Sequence, residues 1–116
     1  MQDSLDNLNH RLKQFAQERD WEQFHSPKNI SMALIAEAAE LVEHFQWLTQ
    51  QESYELEAGK LEKVGEELAD IFVYLVRLAD RLGVDLPAAV DRKIALNEQK
   101  YPAERVRGSA RKYNEY

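Results

Sequence analysis

The feature that most constrains the fold is a set of apolar side chains that recur every three or four residues between residues 60 and 82. This spacing places them on one side of an α-helix and does not fit the alternation of a strand. Similar spacing occurs elsewhere, and only four Gly and three Pro interrupt the 116 residues. The sequence therefore predicts an all-α fold, a four-helix bundle. The longest repeat consists of Leu61, Val64, Leu68, Ile71, Leu75, Leu78 and Leu82.

Capping signals delimit the first two predicted helices. Ser4 stands before the first helix, whose apolar pattern ends near residue 19. Ser26 followed by Pro27 is typical of a helix start, because Ser accepts hydrogen bonds from the free amides of the first turn and the φ of Pro already suits the helix. We expect this second helix to run to about residue 50, and a polar, acidic loop to follow it.

The third and fourth predicted helices are delimited in the same way. The third is expected over residues 60–82, and Gly83 follows it where a left-handed C-cap residue belongs. Asp85 and Pro87 then start a fourth helix, which is expected to stop before Pro102 because Pro cannot continue it.

Composition limits the chemistry and the location. The absence of Cys excludes disulfides, thiolate chemistry and Cys-ligated zinc. The net charge of −6 disfavours binding to a nucleic-acid polymer. The longest apolar run, residues 71–76, is far shorter than the roughly 20 residues that span a bilayer, and the first residues lack a secretory pattern. We expect a cytoplasmic, membrane-free protein with one helical domain, residues 1–102, and a basic, poorly ordered tail, residues 103–116.

Two pairs of carboxylates interrupt the apolar stripes of the second and third predicted helices. Glu37 and Glu40 are three residues apart on one helix, and Glu67 and Asp70 are three apart on the other. If the two helices pack antiparallel, the four carboxylates meet and must stay solvated or bind a cation. Oxygen ligands of this kind suit Mg²⁺ or Mn²⁺. A solvated acidic face is the other interpretation, whereas a di-iron site would need a Glu-x-x-His motif on two helices.

These carboxylates carry a resemblance to a known family. The motifs Glu37-Ala-Ala-Glu40 and Glu67-Leu-Ala-Asp70 resemble the ExxE…ExxD signature of the MazG-like, all-α nucleoside triphosphate pyrophosphohydrolases. The resemblance extends from about residue 15 to residue 113 and is closest to the dCTP pyrophosphatase branch. The other blocks that carry it are Arg19-Asp20-Trp21-Glu22-Gln23-Phe24-His25, Phe45-Gln46-Trp47, Val84-Asp85-Leu86-Pro87, Tyr101-Pro102, and Ser109 with Arg111-Lys112-Tyr113.

The resemblance also implies the roles of the site residues. It makes Glu37, Glu40, Glu67 and Asp70 the catalytic carboxylates and the ligands of Mg²⁺, with Mn²⁺ as an alternative. The general base stays open among the three glutamates. Lys93 and Asn97 match positions near the phosphates. The nucleoside pocket that the resemblance implies consists of Trp21, Phe24, His25, Trp47 and Tyr74.

Two details of the implied pocket concern selectivity. Tyr74 follows Asp70 by one helical turn, so the resemblance makes its phenol a contact of the deoxyribose. In the dCTP branch the first helix can contribute a pocket His, and this chain has Leu12 at that position, with His10 two residues away. Taken without the resemblance, the aromatic residues of the pocket could equally be helix-packing side chains.

The resemblance finally implies an activity and an assembly. The family hydrolyses nucleoside triphosphates between the α- and β-phosphates, and its dCTP branch favours dCTP or a modified dCTP, which removes unwanted nucleotides from the pool. We expect a homo-oligomer, a dimer or a tetramer of paired dimers. The alternatives are an enzyme acting broadly on dNTPs, on dUTP or on phosphoribosyl-ATP, and a non-catalytic helical oligomer.

Overall fold

The protein, described from a computed structural model over residues 4–110, is mainly helical in that range and has no strand within it. The all-α prediction is therefore confirmed, and the four predicted helices are all present. A 3₁₀ turn, Glu22–Phe24, lies between the first two helices. The helices are α1 (Leu5–Glu18), α2 (Pro27–Glu43), α3 (Gln50–Ser53), α4 (Ala58–Leu82), α5 (Leu86–Lys100) and α6 (Ala103–Val106).

The helices begin and end where the local sequence directs. Ser4, Ser26 and Asp85 each accept a hydrogen bond from the backbone amide three residues further on, at 3.0–3.1 Å. Each cap satisfies an amide that has no partner within its own helix. Gly83 ends α4 with a φ of 69°, a left-handed conformation that costs least for glycine.

The second helix is shorter than predicted, because it ends at Glu43 and not near residue 50. Turns follow it, and α3 lies at the start of the predicted loop. The reason is a capping box: the Thr49 hydroxyl accepts from the Glu52 amide at 3.1 Å, and the Glu52 carboxylate accepts from the Thr49 amide at 2.8 Å. This reciprocal pair starts a new helix and prevents α2 from continuing through it.

Helix α4 is the centre of the first of two compact units, which ends at Gly83. It packs along α2 and also contacts α1. Arg81, in its last turn, donates from Nε to the backbone oxygen of His25 at 3.1 Å, just before α2 begins. Glu67, in the first half of α4, lies beside Glu40 near the end of α2. The two helices are therefore antiparallel, the arrangement in which the predicted carboxylate pairs meet.

The apolar seam of α4 is divided between two faces, which the periodicity did not predict. Val64, Ile71 and Leu78 are buried or half-buried. The other four seam residues are 38–57% exposed and lie about 60° further around the helix, since three residues turn it by about 300°. The two helices that pack on α4 cover only the first face. We call the exposed set the leucine stripe: Leu61, Leu68, Leu75 and Leu82.

The second compact unit begins at Val84 and contains α5 and α6. The single turn of α6 falls in the segment that was expected to be poorly ordered, and residues 111–116 of the predicted tail lie outside the described range. The boundaries of the predicted helical domain remain a prediction. Across residues 4–110, no helix is long and apolar enough to cross a membrane.

Candidate active site

Three of the four predicted carboxylates form a cluster between α2 and α4. Glu37, Glu40 and Glu67 each offer an oxygen, and these oxygens lie within 4.8 Å of one another. Glu37 and Glu67 are half-buried and Glu40 is exposed. The antiparallel packing of the two helices produces the cluster, because it brings the carboxylates of each seam to the same height.

The surroundings of the cluster make the charged forms of Glu37 and Glu67 less favourable and raise the pKa values of both. Loss of hydration, together with a hydrogen bond to Glu40 and the charges of Glu40 and Asp70, raises the pKa of Glu37 to about 7. Loss of hydration and the neighbouring Glu40 also raise the pKa of Glu67, while a hydrogen bond to Glu37 and the nearby imidazole of His44 oppose this. At neutral pH Glu37 is therefore protonated in a large fraction of the molecules, whereas an isolated glutamate would be charged.

The donor set fits a hard divalent cation. All its donors are carboxylate oxygens, and Oε2 of Glu67 is buried without a hydrogen-bond partner among the described residues. An unpaired buried oxygen is costly, and a cation bound there would satisfy it. Asp70 lies outside the three-residue cluster, although its charge acts on Glu37. Its assignment as a fourth ligand remains a prediction.

A cleft of about 130 Å³ opens beside the cluster. The ring of Phe15 meets that of Trp21 edge to face at 5.7 Å, and Trp21 meets His25 at 6.5 Å. Three predicted pocket residues, Trp21, His25 and Tyr74, thus share one cleft with Asp70. The full lining consists of Leu12, Phe15, Ala16, Trp21, His25, Asp70, Val73, Tyr74 and Arg77.

His25 is held as a neutral ring in this cleft. Burial lowers its pKa, and the positive charges of Arg77 and Arg81 lower it further, while Glu22 opposes them. Because the shift is downward from 6.5, the imidazole is uncharged at neutral pH. A neutral ring has one donor and one acceptor nitrogen, which suits contacts with a base or sugar.

Four predicted site residues are not among the residues that line this cleft. Phe24 and Trp47 are 59% and 86% exposed, and neither is among the cleft residues. Lys93 and Asn97 are exposed on α5, in the second compact unit. Their roles remain predictions.

Arg77 is the charged cleft residue that the sequence analysis missed. Its side chain is buried, with Nη1 3.3 Å from Asp80 and Nη2 3.9 Å from Glu22. A signal was available, because Asp70, Tyr74 and Arg77 follow one another at i, i+4 and i+7 and so share a face of α4.

The fold and the site define an all-α protein with a cluster of carboxylates that could hold a metal ion, next to an aromatic cleft. The model of the MazG-like family matches residues 32–116, so the chain belongs to the MazG-like family, as its motifs indicated. Human dCTP pyrophosphatase 1 is 46% identical over 114 residues, 97% of this chain and 67% of the human protein. The bovine enzyme is 45% identical over 97% of this chain and 68% of its own length.

A solved structure supports the same assignment. The crystal structure of a pyrophosphatase from Archaeoglobus fulgidus superposes with a TM-score of 0.81 at 36% sequence identity. The match covers 88% of this chain and 95% of that chain. The helical architecture is therefore shared over nearly the whole of the archaeal protein.

Proposed function

We propose that the protein is a Mg²⁺-dependent nucleoside triphosphate pyrophosphohydrolase that converts a dNTP to dNMP and pyrophosphate, with dCTP or a modified dCTP favoured. The observation that carries the proposal is the carboxylate cluster beside an aromatic cleft, with Asp70 lining the cleft and acting on Glu37. The 45–46% identity to enzymes named dCTP pyrophosphatase supports the substrate.

The carboxylates supply the reacting end of the site. Glu37, Glu40 and Glu67, with Asp70 as the proposed fourth ligand, would hold the cation. A bound Mg²⁺ would neutralise phosphate oxygens and polarise the phosphorus. One of the three glutamates accepts a proton from the attacking water, and the bond between the α- and β-phosphates breaks. Pyrophosphate leaves, and the nucleoside monophosphate keeps the α-phosphate.

The cleft supplies the nucleoside end. Trp21 offers an aromatic face for a base, and the neutral His25 offers a hydrogen-bonding nitrogen. Tyr74 lies one turn from Asp70 and so between the phosphates and the base, where it would contact the deoxyribose. Phe24 and Trp47 complete the proposed pocket.

The remaining parts of the proposal concern phosphate contacts, assembly and location. Lys93 and Asn97 are proposed to contact the phosphates, on the basis of the resemblance and of their four-residue spacing on α5. The leucine stripe supports a homo-oligomer, since a soluble monomer rarely exposes so much apolar surface on one face. A cytoplasmic role in cleaning the nucleotide pool completes the proposal.

The test is pyrophosphate release from a panel of dNTPs and NTPs, with Mg²⁺ and with EDTA, with the nucleoside products resolved by chromatography. We expect dCMP and pyrophosphate from dCTP, and no product in EDTA. Equal cleavage of dCTP, dUTP and dATP would replace the dCTP preference with a broad dNTP activity. Release from no triphosphate would contradict the proposal and favour the phosphoribosyl-ATP or non-catalytic alternative.

A further inference from the structure

Arg77 has hydrogen-bond donors that the structure does not use. The residue is only 2% exposed, yet it lines the cleft. Nη1 donates to Asp80 at 3.3 Å, whereas Nη2 is 3.9 Å from Glu22, too far for a hydrogen bond. Within residues 4–110, neither Nε nor Nη2 has an acceptor. Burying such donors unpaired is costly, so an acceptor from outside the chain would be strongly favoured there.

The two unused donors form one edge of the guanidinium. Nε–H and one Nη2–H point in parallel from the planar group, which matches two adjacent acceptors on a partner. The carboxylate nearest this edge, that of Glu22, itself has an unpaired buried oxygen. The two groups are close enough to balance charge without forming a hydrogen bond, so the donor edge is buried and has no acceptor within residues 4–110.

The position of Arg77 indicates which part of a nucleotide it would meet. Asp70, Tyr74 and Arg77 lie along one face of α4, and seven residues of helix rise about 10 Å. Asp70 is at the end beside the carboxylate cluster, so phosphates belong there and the sugar beside Tyr74. With the nucleotide in this orientation, Arg77 lies next to the edge of the base. Across the cleft, Leu12 offers no polar group to that edge.

We propose that Arg77 reads the base by donating Nε–H and Nη2–H to O2 and N3 of a cytosine ring. This inference rests on the proposed function and extends it to selectivity. On its Watson–Crick edge cytosine has two adjacent acceptors, whereas uracil and thymine carry a hydrogen on N3 that would face a donor. Guanine has two adjacent acceptors only on its other edge, O6 and N7. Arg77 thus takes the part that a pocket His on α1 would otherwise play.

The first test exchanges the paired donors for a single ammonium. Arg77→Lys keeps the charge, and we expect it to lower the ratio of kcat/KM for dCTP over dUTP by about 10-fold or more, since a good bidentate contact discriminates by at least that factor. Arg105→Lys makes the same exchange at an exposed position and should leave the ratio unchanged. An unchanged ratio in a folded Arg77→Lys protein overturns the proposal.

The second test needs no variant and separates the competing role of Glu22. We expect the unmodified protein to bind 3-deaza-dCTP, which lacks the N3 acceptor, about 10-fold more weakly than dCTP. If Arg77 serves only to pair with Glu22, then Glu22→Gln and Arg77→Lys will both reduce stability, and neither will alter base preference. That result, or equal affinity for the two nucleotides, overturns the proposal.

The proposed role of Arg77 in base recognition and the proposed enzymatic function can be tested separately. Binding of dCMP and dUMP, measured by titration calorimetry, does not depend on turnover. Preference for dCMP without hydrolysis of any triphosphate would support the role of Arg77 and contradict the enzyme assignment. Hydrolysis of dCTP with equal binding of dCMP and dUMP would support the enzyme assignment and contradict the role of Arg77.

Discussion

At the residue scale, a bound cation would compete with protons for the glutamates of the cluster. Glu37 has a pKa of about 7 because it has lost hydration and lies among other carboxylates. Each of these causes disfavours the charged form, and a bound divalent cation would reverse the effect of the neighbouring charges. The side chains of the cluster therefore leave part of its negative charge unbalanced.

The first prediction concerns pH. Because the folded-state pKa of Glu37 lies above its ordinary value of 4.5, the folded protein binds more protons than the unfolded chain between pH 4.5 and 7. The contribution of Glu37 to the free energy of unfolding is therefore greatest below pH 4.5, falls as pH rises to 7 and is constant above it. Denaturant unfolding in EDTA at pH 5, 6 and 8 checks this, with Glu37→Gln as the reference.

The comparison isolates Glu37 together with its coupling to the neighbouring carboxylates. Subtracting the Glu37→Gln values removes the titration of the carboxylates outside the cluster, which is common to both proteins. We expect the difference in stability to change between pH 5 and 8 in favour of the variant. A difference that stays constant over that range would contradict the raised pKa of Glu37.

The second prediction concerns the cation. Glu67→Gln removes a charged oxygen from the cluster, so we expect loss of the Mg²⁺-dependent rise in melting temperature and a fall in turnover of at least about 100-fold, about 2.7 kcal/mol of barrier. The Glu62→Gln control makes the same change at an exposed position of α4 and should retain both properties. Melting curves and pyrophosphate release with and without Mg²⁺ measure this, and equal behaviour of the two variants would exclude Glu67 as a ligand.

At the element scale, short polar signals decide where helices begin and end. The capping box at Thr49 and Glu52 starts α3 and leaves Trp47 outside any helix, 86% exposed. Gly83 ends α4 in a conformation that other residues adopt only with strain. These signals act over three or four residues and therefore override a weaker apolar periodicity.

The third prediction compares two glycines of the same helix. Gly83→Ala places a Cβ at a φ of 69°, and we expect it to lower the free energy of unfolding by about 1 kcal/mol or more. Gly65→Ala lies inside α4 with nothing within 4 Å of the new Cβ, and it should raise stability by about 0.5–1 kcal/mol. Urea denaturation of both variants measures this, and shifts of the same sign would contradict the backbone argument.

At the scale of the whole molecule, the leucine stripe is the main apolar surface of α4 that the described chain does not cover. Its four residues recur every seven positions, the spacing at which one helix packs along another. Ile35 and Val42 repeat the same interval on α2 and are more than half exposed. Both helices therefore have apolar surface available for a second copy of the chain.

The fourth prediction tests that assembly. We expect the protein to sediment at a multiple of its 13.5 kDa mass, and Leu68→Lys to shift it towards the monomer, because a charge in an apolar interface is costly to bury. Glu62→Lys introduces the same residue at an exposed acidic position of α4 and should keep the oligomer. A monomeric unmodified protein in analytical ultracentrifugation would contradict the expected assembly.

The sequence by itself determined the parts that depend on neighbouring residues. Helix periodicity, the caps at Ser4, Ser26 and Asp85, and the glycine at residue 83 specified four long helices correctly. The family was also readable from the sequence, because its carboxylate motifs are local. The predicted end of α2 was wrong, although the Thr49 capping box that starts α3 is itself a local signal.

Only the tertiary structure decided which side chains share an environment. The i, i+3 spacing identified Glu37, Glu40 and Glu67, but the packing of α2 on α4 brought their oxygens within 4.8 Å and raised the pKa of Glu37. Packing also buried Arg77 with two unused donors and left half of the α4 seam exposed. Periodicity fixes the direction of a side chain from its own helix, whereas burial and charge depend on which other helices lie opposite.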